Sequence, residues 1–220
     1  MGKKVAVINT SFVSVDDHKR FFKELMPDVK MINIVDDSLL AEVLENGGLT
    51  KNVTRRICTY AREAEAMGVD LILNQCSSVG EAVDVARGMI NIPFLKVDEP
   101  MAEEAVEIGG TIAVVATVES TLAPSVRLIE QVAARQGKSV NIKECLVEGA
   151  FDILYYQGDK ETHNKMAVAR IREEAKSADA IVLAQGSMIV LLPELQDLDV
   201  PVLTSPYSGD VRVRDVLYGK

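Results

Sequence analysis

Short runs of consecutive apolar residues alternate along this chain with longer segments whose apolar positions recur every three or four residues. The first pattern is that of a strand covered on both faces, and the second is one buried face of a helix. Strands are predicted over residues 5–8, 29–35, 71–73 and 92–95, and again over 111–115, 140–147, 180–183 and 201–204. Helices are predicted over 16–26, 38–44, 52–67, 78–89, 102–108, 122–136, 151–156, 162–177 and 210–217. In the segment 52–67, Val53, Ile57, Tyr60 or Ala61, and Ala64 fall at helical spacing, and Gly68 follows as a left-handed cap. This alternation of strand and helix predicts an α/β fold, with mainly parallel sheets flanked by helices.

The second half repeats the first. Val5-Ala6-Val7 matches Ile112-Ala113-Val114 at an offset of 107 residues. Asp70-Leu71-Ile72-Leu73 matches Asp179-Ala180-Ile181-Val182 at 109, and Ile92-Pro93-Phe94-Leu95 matches Val200-Pro201-Val202-Leu203 at 108. Three landmarks in one register argue for an internal duplication into two pseudo-symmetric lobes. Lobe 1 is expected over 1–98 plus 206–220 and lobe 2 over 99–205. Ligands of such sheets bind beyond the carboxyl ends of the strands, which places the expected active site in the cleft between lobes.

Composition narrows the function. With 48% hydrophobic residues in a chain of 220, a substantial core is expected. The net charge is −9 and no stretch concentrates Lys and Arg, so no nucleic acid partner is expected. No apolar run has the length of a membrane span, so no membrane association is expected. The N-terminus runs straight into a strand, without a signal peptide pattern. Cys58, Cys76 and Cys145 form no CxxC pair, which suits reduced thiols and a cytoplasmic location. His18 and His163 have no metal-ligand spacing, so no metal is expected.

One stretch carries candidate chemistry. The strand at 71–73 runs into Asn74-Gln75-Cys76-Ser77-Ser78, and Ser78 with Glu81 has the spacing of a capping box. Cys76 is thereby predicted at the start of a helix, where free N–H groups gather and a thiolate is favoured over a thiol. On the repeat register its counterpart is Gln185, within Ala184-Gln185-Gly186-Ser187. One turn offers a thiol and the other an amide.

Taken with Val7-Ile8-Asn9-Thr10-Ser11, Leu39-Leu40, Gly48-Leu49-Thr50, Val97-Asp98-Glu99-Pro100-Met101, Ala116-Thr117, Gly158-Asp159 with His163, and Thr204-Ser205-Pro206, these turns resemble the aspartate/glutamate/hydantoin racemase superfamily over nearly the whole chain. The resemblance implies flavodoxin-like lobes, no cofactor, a small carboxylate substrate and association into a homo-oligomer. It also implies two cysteines, one per lobe, that remove and return a proton on opposite faces of an α-carbon. Cys76 matches the first of these. Ser77, Ser78, Gly186 and Ser187 supply backbone N–H groups for a carboxylate cradle, joined by the hydroxyls of Thr10, Ser11, Thr117 and Thr121. Asn9 and Asn74 are candidates to orient Cys76 or bind substrate.

Gln185 departs from the pattern, because an amide is no base near neutral pH. Three alternatives follow. His163, or a tyrosine such as Tyr156, could serve the second face of a racemase. Cys76 could protonate a carbanion left by decarboxylation. Cys76 could add as a nucleophile to a small unsaturated diacid, as in cis–trans isomerisation. A catalytically impaired small-acid binding protein is the non-enzymatic reading. In each, Gln185 would donate and accept hydrogen bonds at the substrate head. Cys58 and Cys145, and the methionines at 89, 101, 166 and 188, read as core filling. His18 reads as surface amid Asp16, Asp17, Lys19 and Arg20, and His163 as solvent-facing at a helix start. Lys96 and Asp98 read either as an ion pair between lobes or as substrate contacts.

Overall fold

The computed structural model describes residues 2–220. The chain forms two compact units, one made of residues up to Pro100 together with Pro206–Lys220, the other of Met101–Ser205. The first unit runs β1 (Lys4–Asn9), α1 (Val15–Leu25), β2 (Lys30–Val35), α2 (Ser38–Glu45), α3 (Lys51–Ala66), β3 (Leu71–Asn74), α4 (Gly80–Arg87) and β4 (Phe94–Lys96). Helix α5 (Glu99–Ile108) leads into the second, which continues with β5 (Thr111–Ala116), α6 (Glu119–Gln136), β6 (Asn141–Leu146), α7 (Ala150–Gln157), α8 (Lys160–Glu174), β7 (Ala180–Leu183) and β8 (Val202–Thr204). Helix α9 (Ser205–Tyr218) returns the chain to the first unit.

Each sheet has four parallel strands. The orders are β2-β1-β3-β4 and β6-β5-β7-β8, so the second repeats the first. Alternation along the strands sends side chains to both covered faces. In the first unit Ala6, Ile8 and Ile72 pack on Ile57 and Ala61 of α3 and Val83 of α4. Val5, Val7, Leu71 and Leu73 pack on the other face against Phe22 of α1 and Val213 and Leu217 of α9. In the second unit Ile112, Val114 and Val182 meet Ile129 and Val132 of α6, while Ala113, Val115, Ile181 and Leu183 meet Ile171 of α8.

A small detail recurs in both sheets. Asp70 accepts a hydrogen bond from Lys4 N, and Asp179 accepts one from Thr111 N, each at 2.7 Å. The leading strand's first N–H is thus capped by a carboxylate from just before the third strand. At Gly110 the backbone has φ +68°, and a Cβ would lie 2.1 Å from the Asp179 carboxylate, so both conformation and space require glycine.

Several expectations are corrected. The residues 77–79 form a single 3₁₀ turn and α4 begins at Gly80, with Val79 rather than Ser78 at its cap position. The apolar run before Pro193 folds as a 3₁₀ segment, Gly186–Glu194, which its lack of helical period concealed. Helix α9 starts at Ser205 rather than residue 210, because Pro206 is tolerated in a first turn. His18 is fully buried, since it lies on the inward face of α1 while its charged neighbours face solvent. Its Nδ1 is 2.8 Å from Oδ2 of the equally buried Asp210 on α9. Met89 is exposed just past α4, whereas Met101 and Met188 are buried and Cys58 and Cys145 lie in the core.

Candidate functional site

In a doubly wound sheet the strand order reverses beside the first strand, and the connections there splay apart at the carboxyl end. In the first unit this point lies between β1 and β3, where Ile8 pairs with Asn74. Asn9, Thr10 and Ser11 follow one strand, and Gln75, Cys76, Ser77 and Ser78 follow the other. Gln75 N donates to Ile8 O at 3.1 Å, which holds the two exits together. The corresponding point of the second unit lies between β5 and β7, where Val115 pairs with Leu183 and Ala184 N donates to Val115 O at 3.0 Å.

Cys76 is the residue that opens the 3₁₀ turn Ser77–Val79. Its backbone is extended and its carbonyl accepts from Asn74 Nδ2 at 2.8 Å and from Val79 N at 3.3 Å. Burial of the sulfur pushes the thiol above its ordinary value, and the nearby Asp98 carboxyl adds to this. The Thr10 hydroxyl and the backbone N–H and hydroxyl of Ser78 act in the opposite direction by hydrogen bonding, but do not prevail. The expectation of a favoured thiolate is therefore corrected. A single 3₁₀ turn supplies one or two N–H groups rather than the aligned dipole of a long helix, and desolvation outweighs them.

The asparagines are pinned by their neighbours. Asn9 Nδ2 lies 3.0 Å from Val7 O, and Asn74 Nδ2 bonds the Cys76 carbonyl. Carbonyl oxygens only accept, so both amides have fixed orientation. Their Oδ1 atoms are buried and have no hydrogen-bond partner among the described residues. Asp98 Oδ1 is in the same condition. These three bare acceptors lie at the carboxyl ends of β1, β3 and β4. Sequence reading placed Asp98 near the site, either in an ion pair between lobes or as a substrate contact. Its position past the end of a short strand was the available signal. Lys96, by contrast, is committed to Asp84 on α4 at 2.8 Å, within its own unit, which corrects the expectation of a pair between lobes. Beside Asn9, Asp36 N donates to Asn9 O at 3.0 Å, and the Asp36 carboxylate takes Arg56 and Tyr60 from α3.

In the second unit the residues meet in a chain. Gln185 Oε1 accepts from Thr117 N at 2.6 Å and from Thr117 Oγ1 at 3.1 Å. A backbone N–H can only donate, so the amide oxygen is fixed toward Thr117. Gln185 is left with its amide nitrogen, a donor, and the expectation that it would also accept from a ligand is corrected. His163 Nε2 lies 3.3 Å from Thr117 Oγ1, and its Nδ1 2.9 Å from Asn164 Oδ1. His163 is buried, not solvent-facing, because the first turn of α8 lays it against the exit of β5. Thr121 is buried in the first turn of α6, Gly186 is half-buried and Ser187 is exposed. Tyr156 is 77% exposed and stacks edge-on against Tyr155 on α7. Among the described residues no three His, Cys, Asp or Glu side chains come together as a metal site, and no helix is long and apolar enough to cross a membrane.

Solved structures share this architecture. An allantoin racemase from Klebsiella pneumoniae is 17% identical with a TM-score of 0.70, covering 99% of this chain and 89% of its own. The aspartate racemase of Picrophilus torridus is 15% identical with a TM-score of 0.72, covering 100% and 95%. A glutamate racemase from Francisella tularensis, solved with D-glutamate, is 14% identical with a TM-score of 0.75, covering 99% and 82%. These likenesses establish the fold. No curated protein matches the sequence. The family model for Asp/Glu/hydantoin racemases matches residues 5–207, and the chain belongs to that family.

Proposed function

We propose that this protein is a cofactor-independent racemase of a small amino acid or hydantoin-like acid, with Cys76 transferring the proton at the α-carbon. The observation that carries the reading is the Cys76 turn. A thiol stands at the switch point of a parallel sheet, with the Thr10 hydroxyl and the Ser78 N–H and hydroxyl directed at its sulfur. Such donors stabilise the thiolate that remains after the proton leaves. The bare acceptors on Asn9 and Asn74 favour a substrate that brings N–H donors, as an ammonium or a ureido group does. In the second unit, the Gln185 amide nitrogen and the N–H groups of Gly186 and Ser187 are donors of the kind that a carboxylate accepts from.

Gln185 stands where the family's second cysteine would be, and it holds no transferable proton. Thr117 and His163 are the second proton-transfer pair in this reading. Ser11 and Ser77 in the first unit and Thr121 in the second are the further polar candidates of this reading.

The test is incubation of L- and D-aspartate, glutamate and allantoin in D2O, with chiral analysis and NMR of the α-position. Racemisation with α-deuteration is expected for one of these classes. Cys76→Ser should lower the rate by about 10²-fold or more, since a positioned proton-transfer group is worth that much. His163→Gln should slow interconversion in both directions alike, while α-deuterium exchange of one antipode without racemisation continues. Undiminished racemisation by Cys76→Ser would overturn the reading.

A further inference from the structure

The parallel register of β3 and β4 sets Asn74 beside Lys96, and Val97 N donates to Asn74 O at 2.9 Å. The strands end there: Val97 and Asp98 form the turn after β4, alongside the exit of β3 that leads to Cys76. Asp98 is 3% exposed, the Ser77 hydroxyl bonds its carboxyl, and Oδ1 has no partner. It is held there from behind, because Gly209 of α9 packs so closely on Val97 that a Cβ would lie 2.6 Å from the Val97 carbonyl oxygen. A buried carboxyl with one bare oxygen near a half-buried thiol is an arrangement in which both groups cannot ionise cheaply.

We propose that Asp98 is the positioning residue for Cys76, keeping one proton on the pair so that the resting enzyme presents a thiol, a proton donor, to its substrate. This rests on the reading of Cys76 as the reacting group, and it specifies the order of events. Once another base has taken the substrate's α-proton, the thiol gives its own to the resulting carbanion. The thiolate so formed is the more basic for having a carboxylate beside it, and takes a proton back in the reverse direction.

The charges around Asp98 are otherwise matched. Lys96 on the same strand is paired with Asp84 of α4. Glu99 at the start of α5 is held by two bonds from Arg87 of α4, at 3.1 and 2.8 Å. His18 Nδ1 of α1 lies 2.8 Å from Asp210 Oδ2 of α9. Of these neighbours Lys96 draws the Asp98 carboxyl down and Glu99 pushes it up, while burial dominates and raises it. Lys96 is thus shared between Asp84 and the field at Asp98, and Arg87 is held by Glu99.

The test needs no substrate, so it can fail independently of the racemase reading. Iodoacetamide alkylation of Cys76 is followed against pH by peptide mass spectrometry, for the wild type and for Asp98→Asn, which keeps the shape and the Ser77 contact. A thiolate absorbance titration of wild type minus Cys76→Ser gives the same midpoint without altering Asp98. The expected wild-type midpoint lies on the alkaline side of an ordinary thiol. In Asp98→Asn it should fall by about one pH unit or more, the effect of removing one close like charge. Alkylation at pH 7 should then quicken about threefold or more, since the gain in thiolate outweighs its lower nucleophilicity. Asp98→Glu should hold the midpoint on the alkaline side. A wild-type midpoint at or below neutrality, or an unchanged midpoint in Asp98→Asn, would overturn the proposal.

Discussion

A single buried carboxyl illustrates how stability and function compete at one residue. Asp98 is raised from its ordinary range by burial, against the weaker opposing pull of the Ser77 hydroxyl. A group raised in the folded state stabilises it most at low pH, where it is protonated in both states, and loses that contribution as pH rises through its folded value. Asp98→Asn has nothing to ionise. It should therefore melt about 2 °C or more above wild type at pH 7, and the difference should shrink toward pH 4, as read by calorimetry at both pH values. Asp36 follows the opposite rule. Burial opposes its charge, but Tyr60, Ser38 and Arg56 outweigh it and hold the carboxyl low, so its contribution is present at neutral pH and lost in acid. Residues of this kind were poorly legible in the sequence. His18 looked exposed amid four charges, and its partner Asp210 lies 192 positions away. Nothing local encodes such a pairing. Cys76 and Gln185 were legible because strand ends, repeats and turn chemistry are local signals.

At the scale of elements, the strands and helices were readable because each buried strand is an unbroken apolar run and each helix keeps its 3.6-residue period. The ends were less so. A capping box was inferred where a 3₁₀ turn lies, since the Ser78–Glu81 spacing fits either and only the path out of β3 decides. The segment Gly186–Glu194 carried no period to read. The contact between α9 and the end of β4 shows what exact placement of an element demands. Gly209 admits no side chain: a Cβ would meet Val97 Cγ2 and its carbonyl oxygen, each at 2.6 Å. The near neighbour is backbone, so it cannot swing aside. Gly209→Ala should cost about 1–3 kcal/mol in urea unfolding, as overpacked sites do, and should also alter the alkylation profile of Cys76 by displacing Val97 and Asp98. An equally stable Gly209→Ala protein would show that α9 is not seated as described.

At the scale of the whole molecule, one chain makes two units with the same strand order, and the duplicated sequence foretold both. What the repeat does not share is chemistry. The first unit has a thiol with bare acceptors around it, and the second has an amide with its oxygen already spent. The units also differ in continuity. Met101–Ser205 is one uninterrupted stretch, whereas the first unit recovers its last helix from the far end of the chain. On a ribosome, residues are delivered in order, and domains fold as they emerge. The four strands of the first sheet are therefore made long before Val213 and Leu217, which cover Val5, Val7, Leu71 and Leu73. A chain stopped after residue 205 should expose that apolar face, bind a hydrophobic dye and be cleaved rapidly by protease, while Met101–Ser205 within it stays resistant. Throughout synthesis of the second unit, then, the half that carries Cys76 waits unfinished, and its completion is timed by the emergence of α9.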